Sequence, residues 1–417
     1  MLKLVTTTNE VPRQTLDEVA LAGARMMIAR ALVLEVNEYI DRHKELLDDH
    51  GKKLVVRNGV SQARSVTVGS GTMQLQAPRV NDRREGEKFS SLLLPPYVRK
   101  SPKVESLLPI LYLKGLSTSD FRSALEDLLG ADSTAGLSSS SITQLKKSWE
   151  KEFDEWRRGP IAGEYAYIWV DGVHVSIRLG EDKRLCLLVV IGVDKSGEKH
   201  LLAVEPGYRE SSESWSAVLR DMQKRGFRAP LLAVGDGALG FWKALRSVDG
   251  FQTTLEQRCW VHKIRNVLDV LPKRLQSQAK GLLQAMVNAD SRADAERAKK
   301  EFARIFGEKF PKSVDRVEKS WAELTNFFDF PAKHWIHLRT TNPIESTFAT
   351  VRLRSNVTKG AGSAAAAAAM AFKLLQDAQL TWKKIRGYQE LPLLLSGTVA
   401  YKDGVVLRTE NHHGISA

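Results

Sequence analysis

Between residues 165 and 258 the chain sets out an order of elements that few folds can accommodate. YAYIWVDGVHVSIRL, RLCLLVVIGVD and KHLLAVEPG are three β-rich runs joined by short connections, and Asp194 to Gly197 reads as a hairpin turn. SSESWSAVLRDMQKRG follows as a helix, with Ser211 or Ser212 at its N-cap and Gly226 beyond its end. APLLAVGDG is a fourth strand, apolar enough to be buried on both faces, and FQTTLEQRCW is a short fifth.

Three antiparallel strands, a helix, a parallel strand and then more helices is the plan of a ribonuclease-H-like α/β domain with a mixed five-stranded sheet. Its first part is expected over 161–264. An all-α insertion is expected over 265–335, and the domain resumes over 336–390, where the run Ala364 to Ala369 lies in a helix because alanine is the strongest helix former. Residues 1–60 read as a helical region, with Leu16, Val19, Ala20, Met26 and Met27 near helical spacing. ARSVTVGSGTMQLQAPRV alternates around a Gly-rich turn, so 61–100 reads as a basic β-hairpin and linker. Residues 101–160 read as helix, turn and helices, the plan of a helix-turn-helix DNA-binding domain or of any three-helix unit. Ser138 to Ser141, Thr143, Gln144, Lys146 and Lys147 would meet DNA on its last helix. Residues 391–417 show no strong pattern and are left as a C-terminal tail.

Charge narrows the partner. Lysine and arginine number 62 against 49 acidic residues, a net charge of +13, which favours a polyanion such as nucleic acid. No run is long and apolar enough to span a membrane, and the N-terminus lacks a signal peptide's apolar stretch. Two cysteines exclude a disulfide scaffold and fit a reducing compartment.

Three acidic residues stand out. Asp171 ends the first strand and Asp236 the fourth, each beside glycine. Ligands gather at strand carboxyl ends in α/β sheets, and two adjacent carboxylates call for a divalent cation between them. Each alone is also an ordinary turn residue. Glu345, in RTTNPIES, reads locally as the third residue of a capping box, with Asn342 as N-cap and Pro343 at N1. The same helix start can aim its carboxylate at the strand ends. GDGALG formally matches a dinucleotide-binding loop, but Asp236 inside it would repel phosphate. Cys259 and His262, in C-x-x-H, are half of a zinc site or a local packing pair.

Taken together, Asp171, Asp236, CWVHKIRN and RTTNPIES resemble the mutator-type transposases of prokaryotic insertion sequences, over roughly residues 30–390. APRVNDRR, LLPPYVRK and LYLKGLSTSDFRSALEDLLG resemble that family's N-terminal region. The resemblance implies a DDE transposase that binds terminal inverted repeats, cuts their 3′ ends and joins them to target DNA. It implies Asp171, Asp236 and Glu345 as catalytic triad and as ligands of two Mg²⁺, which Mn²⁺ can replace. A bacterial cytoplasmic, nucleoid-associated protein, working as a homodimer on two DNA ends, is expected. Arg258, Lys263, Arg265, Arg352, Arg354 and Lys359 would hold phosphates, with Cys259, His262 and Asn342 in support. The chain departs from the family in Ser346, Thr347 and Phe348 after Glu345 and in the alanine run. A DNA-binding protein without catalysis, or a nuclease without strand transfer, is the alternative. Trp321 reads as core, with Val317 and Leu324 in one stripe, or as a stacking platform for a displaced base.

Overall fold

The computed structural model describes residues 15–407 apart from 87, 114–138, 179–183, 208, 238–239 and 358–359. The chain divides into two compact units, Met1–Leu145 and Lys146–Ala417.

The first unit opens with helix α1 (Leu16–Arg42). Thr15 and Glu18 form a reciprocal capping box at its start, satisfying two of the orphaned backbone donors of its first turn. Leu32 and Val36 are its buried positions, whereas Leu16, Val19, Met26 and Met27 are exposed. The apolar spacing at the front of the helix therefore does not mark its core face. Strands β1 (Val55–Val60), β2 (Arg64–Val68), β3 (Gly71–Leu75) and β4 (Pro78–Asp82) pair as β1·β4 and β2·β3, both antiparallel. The expected hairpin is β2–β3, closed by Gly69 and Ser70. Val66, Met73 and Leu75 from that hairpin pack with Leu32 and Leu94. Arg64 donates to the carbonyls of Leu94 (3.0 Å) and Pro95 (2.9 Å), and Arg84 binds Asp82, so these two basic residues serve the unit's own structure. Helix α2 (Pro102–Leu113) follows. The first turn of the expected helix-turn-helix, with Gly115 and Ser117, lies outside the described residues. Helix α3 (Ser139–Arg158) runs across the boundary, so Lys146, half-exposed, and Lys147, exposed, belong to the second unit.

The second unit is mixed α/β. Strands β5 (Tyr165–Ser176), β6 (Arg184–Asp194), β7 (Lys199–Gly207), β8 (Leu232–Gly235) and β9 (Leu255–Arg258) form one sheet in the order β7-β6-β5-β8-β9. The first three are antiparallel neighbours, and β8 and β9 run parallel to β5. On one face, helices α4 (Ser212–Lys224) and α5 (Phe241–Ser247) cover Ile168, Val170, Leu188 and Val190 with Trp215, Leu219, Met222 and Phe241. Residues of opposite parity, such as Tyr167, Trp169, Val189 and Ile191, are equally buried, so the sheet is covered on both sides.

Between β9 and the later helices lie α6 (Trp260–Leu268), α7 (Lys273–Val287), α8 (Arg292–Phe306), α9 (Pro311–Glu318), α10 (Trp321–Thr325) and α11 (Trp335–Leu338). Their seam with the sheet is polar: Gln257 and Trp260 both donate to the Leu324 carbonyl, at 3.1 and 2.8 Å. Helix α12 (Asn342–Val357) packs on β5, and α13 (Ala364–Gln379) packs on β7 and β6. Ser363 caps α13, and Ala367, Ala368, Ala369 and Ala371 are buried, so the small side chains set a close helix–sheet approach. Beyond it come α14 (Leu391–Leu395) and the hairpin β10 (Ala400–Lys402) and β11 (Val405–Leu407), in the stretch read from sequence as a tail.

Candidate active site

Asp171 does not end its strand. β5 continues to Ser176 against β6, while its pairing with β8 stops at Trp169 and Val234. Two residues beyond that pair stand Asp171 on one strand and Asp236 on the other. Parallel register therefore sets both residues at the same level, where β8 has ended.

Glu345 arrives in the first turn of α12, the helix packed on β5. The helix begins at Asn342, so the capping position falls on Thr341 rather than on Asn342. Thr341 accepts from the Ile344 and Glu345 amides through its carbonyl, at 2.9 and 3.0 Å. Its hydroxyl donates to Glu345 Oε1. Thr341 is fully buried and also lies against Cys259, with its amide 3.3 Å and its hydroxyl 3.2 Å from Sγ. The Cys259 amide in turn donates to the Gly235 carbonyl (2.8 Å), and the Trp260 amide to the Arg339 carbonyl (2.9 Å). These bonds fasten the Glu345 helix start to the end of β8.

His262 lies one turn along α6, with Nδ1 3.7 Å from Glu345 Oε1. The hydrogen bond its ring gives to Cys259, and then the charges of Cys259, Asp236 and Glu345, hold its imidazole up at about 9, against burial. Burial works to raise the Cys259 thiol, but its bonds with His262 and Thr341 bring it below the ordinary value. Cys259, His262 and Glu345 offer ligand atoms within 4.8 Å of one another. The pair read as half a zinc site is thus a neighbour of Glu345.

A fourth carboxylate, Glu210, completes the cluster. Its Oε1 would be 2.2 Å from a Cβ placed on Gly172. Burial raises its carboxyl, and so does the charge of Asp236. Asp171 is pushed up to about 7, first by burial and then by the charges of Glu210 and Glu345. Carboxylates that raise one another in this way are ones that a hard divalent cation would neutralise, although the ligand atoms already within 4.8 Å of one another belong to the mixed sets Cys259, His262, Glu345 and His174, Cys186, Glu210. In the sequence, Glu210 stands in front of the N-cap Ser211 and looks like helix-end charge. It reaches the site because the Gly240 amide donates to the Glu210 carbonyl (3.0 Å), a contact with no local signature.

The expected phosphate-holding residues divide by burial. Arg258 donates to Ser320 Oγ (2.7 Å) and lies beside Gly237, with its Nε buried and without a hydrogen-bond partner among the described residues. Lys263 donates to Ser320 Oγ (2.8 Å) and to the Arg316 carbonyl (2.9 Å), and burial brings its amine down to about 8. Both tie the sheet edge to the helical array. Arg265 and Arg352 are exposed. Arg354 is 1% exposed and lies within the packing of α12, contrary to the expectation of a DNA contact. Lys359 lies outside the described residues. Trp321 is half-buried: α9 ends at Glu318, so the stripe with Val317 is broken before Trp321. Its ring stands edge-on to Trp260 at 6.3 Å, with Lys299 Nζ 4.5 Å from its centroid.

Comparison with known families matches residues 2–385 to the family described as "Transposase, Mutator family". The chain belongs to that family. It is 49% identical over 306 residues to the transposase for insertion sequence element IS6120 of Mycolicibacterium smegmatis, covering 73% of this chain and 93% of the relative. It is 45% identical over 283 residues to the transposase for insertion sequence element IST2 of Acidithiobacillus ferrooxidans, covering 68% and 94%. With a transposase of Rhizobium meliloti, that of element ISRM5, identity is 28% over 312 residues, 74% of this chain and 75% of the relative. Among the described residues no helix is long and apolar enough to cross a membrane.

Proposed function

We propose that this Mutator-family protein is a DDE transposase: it binds the terminal inverted repeats of an insertion sequence, hydrolyses the phosphodiester at each 3′ end and joins the freed end to target DNA. One observation carries the reading. Asp171 and Asp236 stand level at the ends of the β5–β8 pairing, and Glu345, from the helix packed on β5, lies close enough for its charge to raise the Asp171 carboxyl. The strand order and the two-sided helical cover support a ribonuclease-H-like catalytic domain, with α6 to α11 as its inserted helices.

Asp171, Asp236 and Glu345 are the residues that would hold two Mg²⁺, or Mn²⁺ in their place. Bound there, such ions supply charge neutralisation and a stronger oxygen nucleophile at neutral pH. The chain's own residues position the rest. The hydrogen-bonded strands fix the two aspartates, and Thr341 fixes Glu345. His262, protonated below about pH 9, offsets carboxylate charge beside Glu345. Exposed Arg265 and Arg352 meet the DNA backbone, as do Lys146 and Lys147 in the preceding DNA-binding region. Two copies bring two ends together, in the bacterial cytoplasm where the element's DNA resides.

The test is nicking of end DNA. Asp171→Asn, Asp236→Asn and Glu345→Gln should each abolish Mg²⁺-dependent cleavage and leave DNA affinity intact. Activity within tenfold of wild type in any one removes that residue from the triad. Strand transfer with pre-cut ends distinguishes a transposase from a nuclease.

A further inference from the structure

A cleft of about 780 Å³ is lined by Glu345 together with Asn342, Pro343, Ser346 and Arg352 of α12. That volume is within the roughly 300–1,000 Å³ of ligand pockets. Glu345 and Arg352 both line it, being seven residues apart and hence on one helix face. The opposite wall is the segment after α13, where Trp382 and Lys383 stand, together with Lys199 at the start of β7 and His337 from α11.

The wall chemistry is specific. Lys199, Arg352 and Lys383 line the cleft with Glu345, so it carries an excess of positive charge. Lys199 is fixed rather than loose: its Nζ donates to the Lys383 carbonyl at 2.5 Å. His337 adds no charge. Its Nε2 accepts the Arg386 amide hydrogen at 2.9 Å, which requires the neutral ring, and burial brings it down to about 4. Trp382 is half-buried, with part of its ring left to the cleft. Cations around an aromatic face are the components that bind single-stranded nucleic acid: phosphates meet the charges and a base meets the ring. The Glu345 carboxylate at one end makes the cleft continuous with the catalytic cluster.

We propose that this cleft seats an unpaired nucleotide next to the scissile phosphate, with its base stacked on Trp382 and its phosphates against Lys199, Arg352 and Lys383. The assignment rests on the transposase reading above. It moves the stacking role from Trp321, which is occupied by Trp260 and Lys299, to Trp382.

The probe is an oligonucleotide carrying one terminal inverted repeat extended into flanking DNA, either fully paired or with the flank at the cut left single-stranded. The full-length protein is used throughout. Wild type should bind and cut the unpaired form better. Trp382→Ala should lose that preference and cut about 5- to 150-fold more slowly, since stacking is worth about 1–3 kcal/mol per base. Trp382→Phe should restore most of it. In the binding assay Lys383→Gln and Arg352→Gln, both exposed, should each reduce the salt slope by about one ion. Should Trp382→Ala melt lower, these two substitutions still decide the matter, because lost stability does not change a salt slope. The proposal is overturned if Trp382→Ala keeps the preference for unpaired ends, if it weakens both probes equally, or if the two basic substitutions leave the slope unchanged. A wild type that cuts neither probe overturns the transposase reading instead.

Discussion

Thr341 is where the placement of Glu345 can be tested with least disturbance. Its hydroxyl has one hydrogen and two neighbours, Glu345 Oε1 and Cys259 Sγ at 3.2 Å. Both neighbours are acceptors for that one hydrogen, and a carboxylate attracts it more strongly than sulfur does, so the hydroxyl donates to Glu345 with Sγ as the second acceptor. Thr341→Val keeps the shape of this fully buried residue and its backbone amide bond to Sγ, and removes the hydroxyl's bond to the carboxylate together with its contact to Sγ. A hydrogen bond to a charged group is worth about 1.5–3 kcal/mol. If that bond secures the carboxylate for the reaction, the cleavage rate should fall about 10- to 150-fold, at about 1.4 kcal/mol per tenfold. The assay is single-turnover, Mg²⁺-dependent cleavage of labelled end DNA, with melting temperature and DNA affinity measured on the same preparation. Both of these should stay near wild type, and Thr341→Ser should restore cleavage. Thr341→Val cutting within twofold of wild type, or Thr341→Ser failing equally, refutes the role.

Two further outcomes follow from the cluster. The Asp171 carboxyl rises from 3.8 to about 7 on folding, so the folded form holds its proton more tightly: that stability is complete below about pH 3.8 and lost as pH rises through 7. Metal-free Asp171→Asn should therefore melt above metal-free wild type at pH 8, by at most about 4 kcal/mol, with the gap closing towards pH 4; equal melting at pH 8 counts against the crowding. Gly240→Ala places a Cβ 2.3 Å from the Ser212 amide nitrogen and 2.6 Å from the Glu210 carbonyl oxygen, so it should lower stability by about 1–3 kcal/mol in thermal or urea unfolding, and an unchanged midpoint would show that the loop gives way.

The strand order and both aspartates were legible in the sequence because their signals are local: apolar runs of strand length, each followed by Asp-Gly or enclosed by glycines. Gly240 shows the limit of such signals. It completes a formal dinucleotide-binding pattern, yet its missing side chain leaves room for the backbone of Glu210 to Ser212. Glu210 itself, and the bond between Cys259 and Thr341 across 82 positions, depend on tertiary contacts that no window of sequence contains. Spacing misled at α1, whose front-end apolar residues are exposed, and at Trp321, where the helix breaks at Lys319 and Ser320.

Arg352 and Arg354 carry the argument furthest. Both were expected on DNA because both are basic and follow Glu345. Two residues along a helix turn the side chain by about 200°, so one arginine facing outward sends the other inward. Arg352 is exposed and shares the face of Glu345, whereas Arg354 is buried. The helix that carries Glu345 therefore offers one basic side chain to the cleft, and the other belongs to the packing of the helix. The phase of a helix against its sheet is set by contacts along its whole length, and here Ile344, Phe348 and Val351 are buried with no exposure. That apolar set at spacings of four and three defines the buried face, and it places Glu345 and Arg352, each one residue further on, together at its margin. The same phase that aims Glu345 at the aspartates thus turns Arg352 towards Trp382 and Lys383, so the carboxylate cluster and the basic cleft depend on one packing decision.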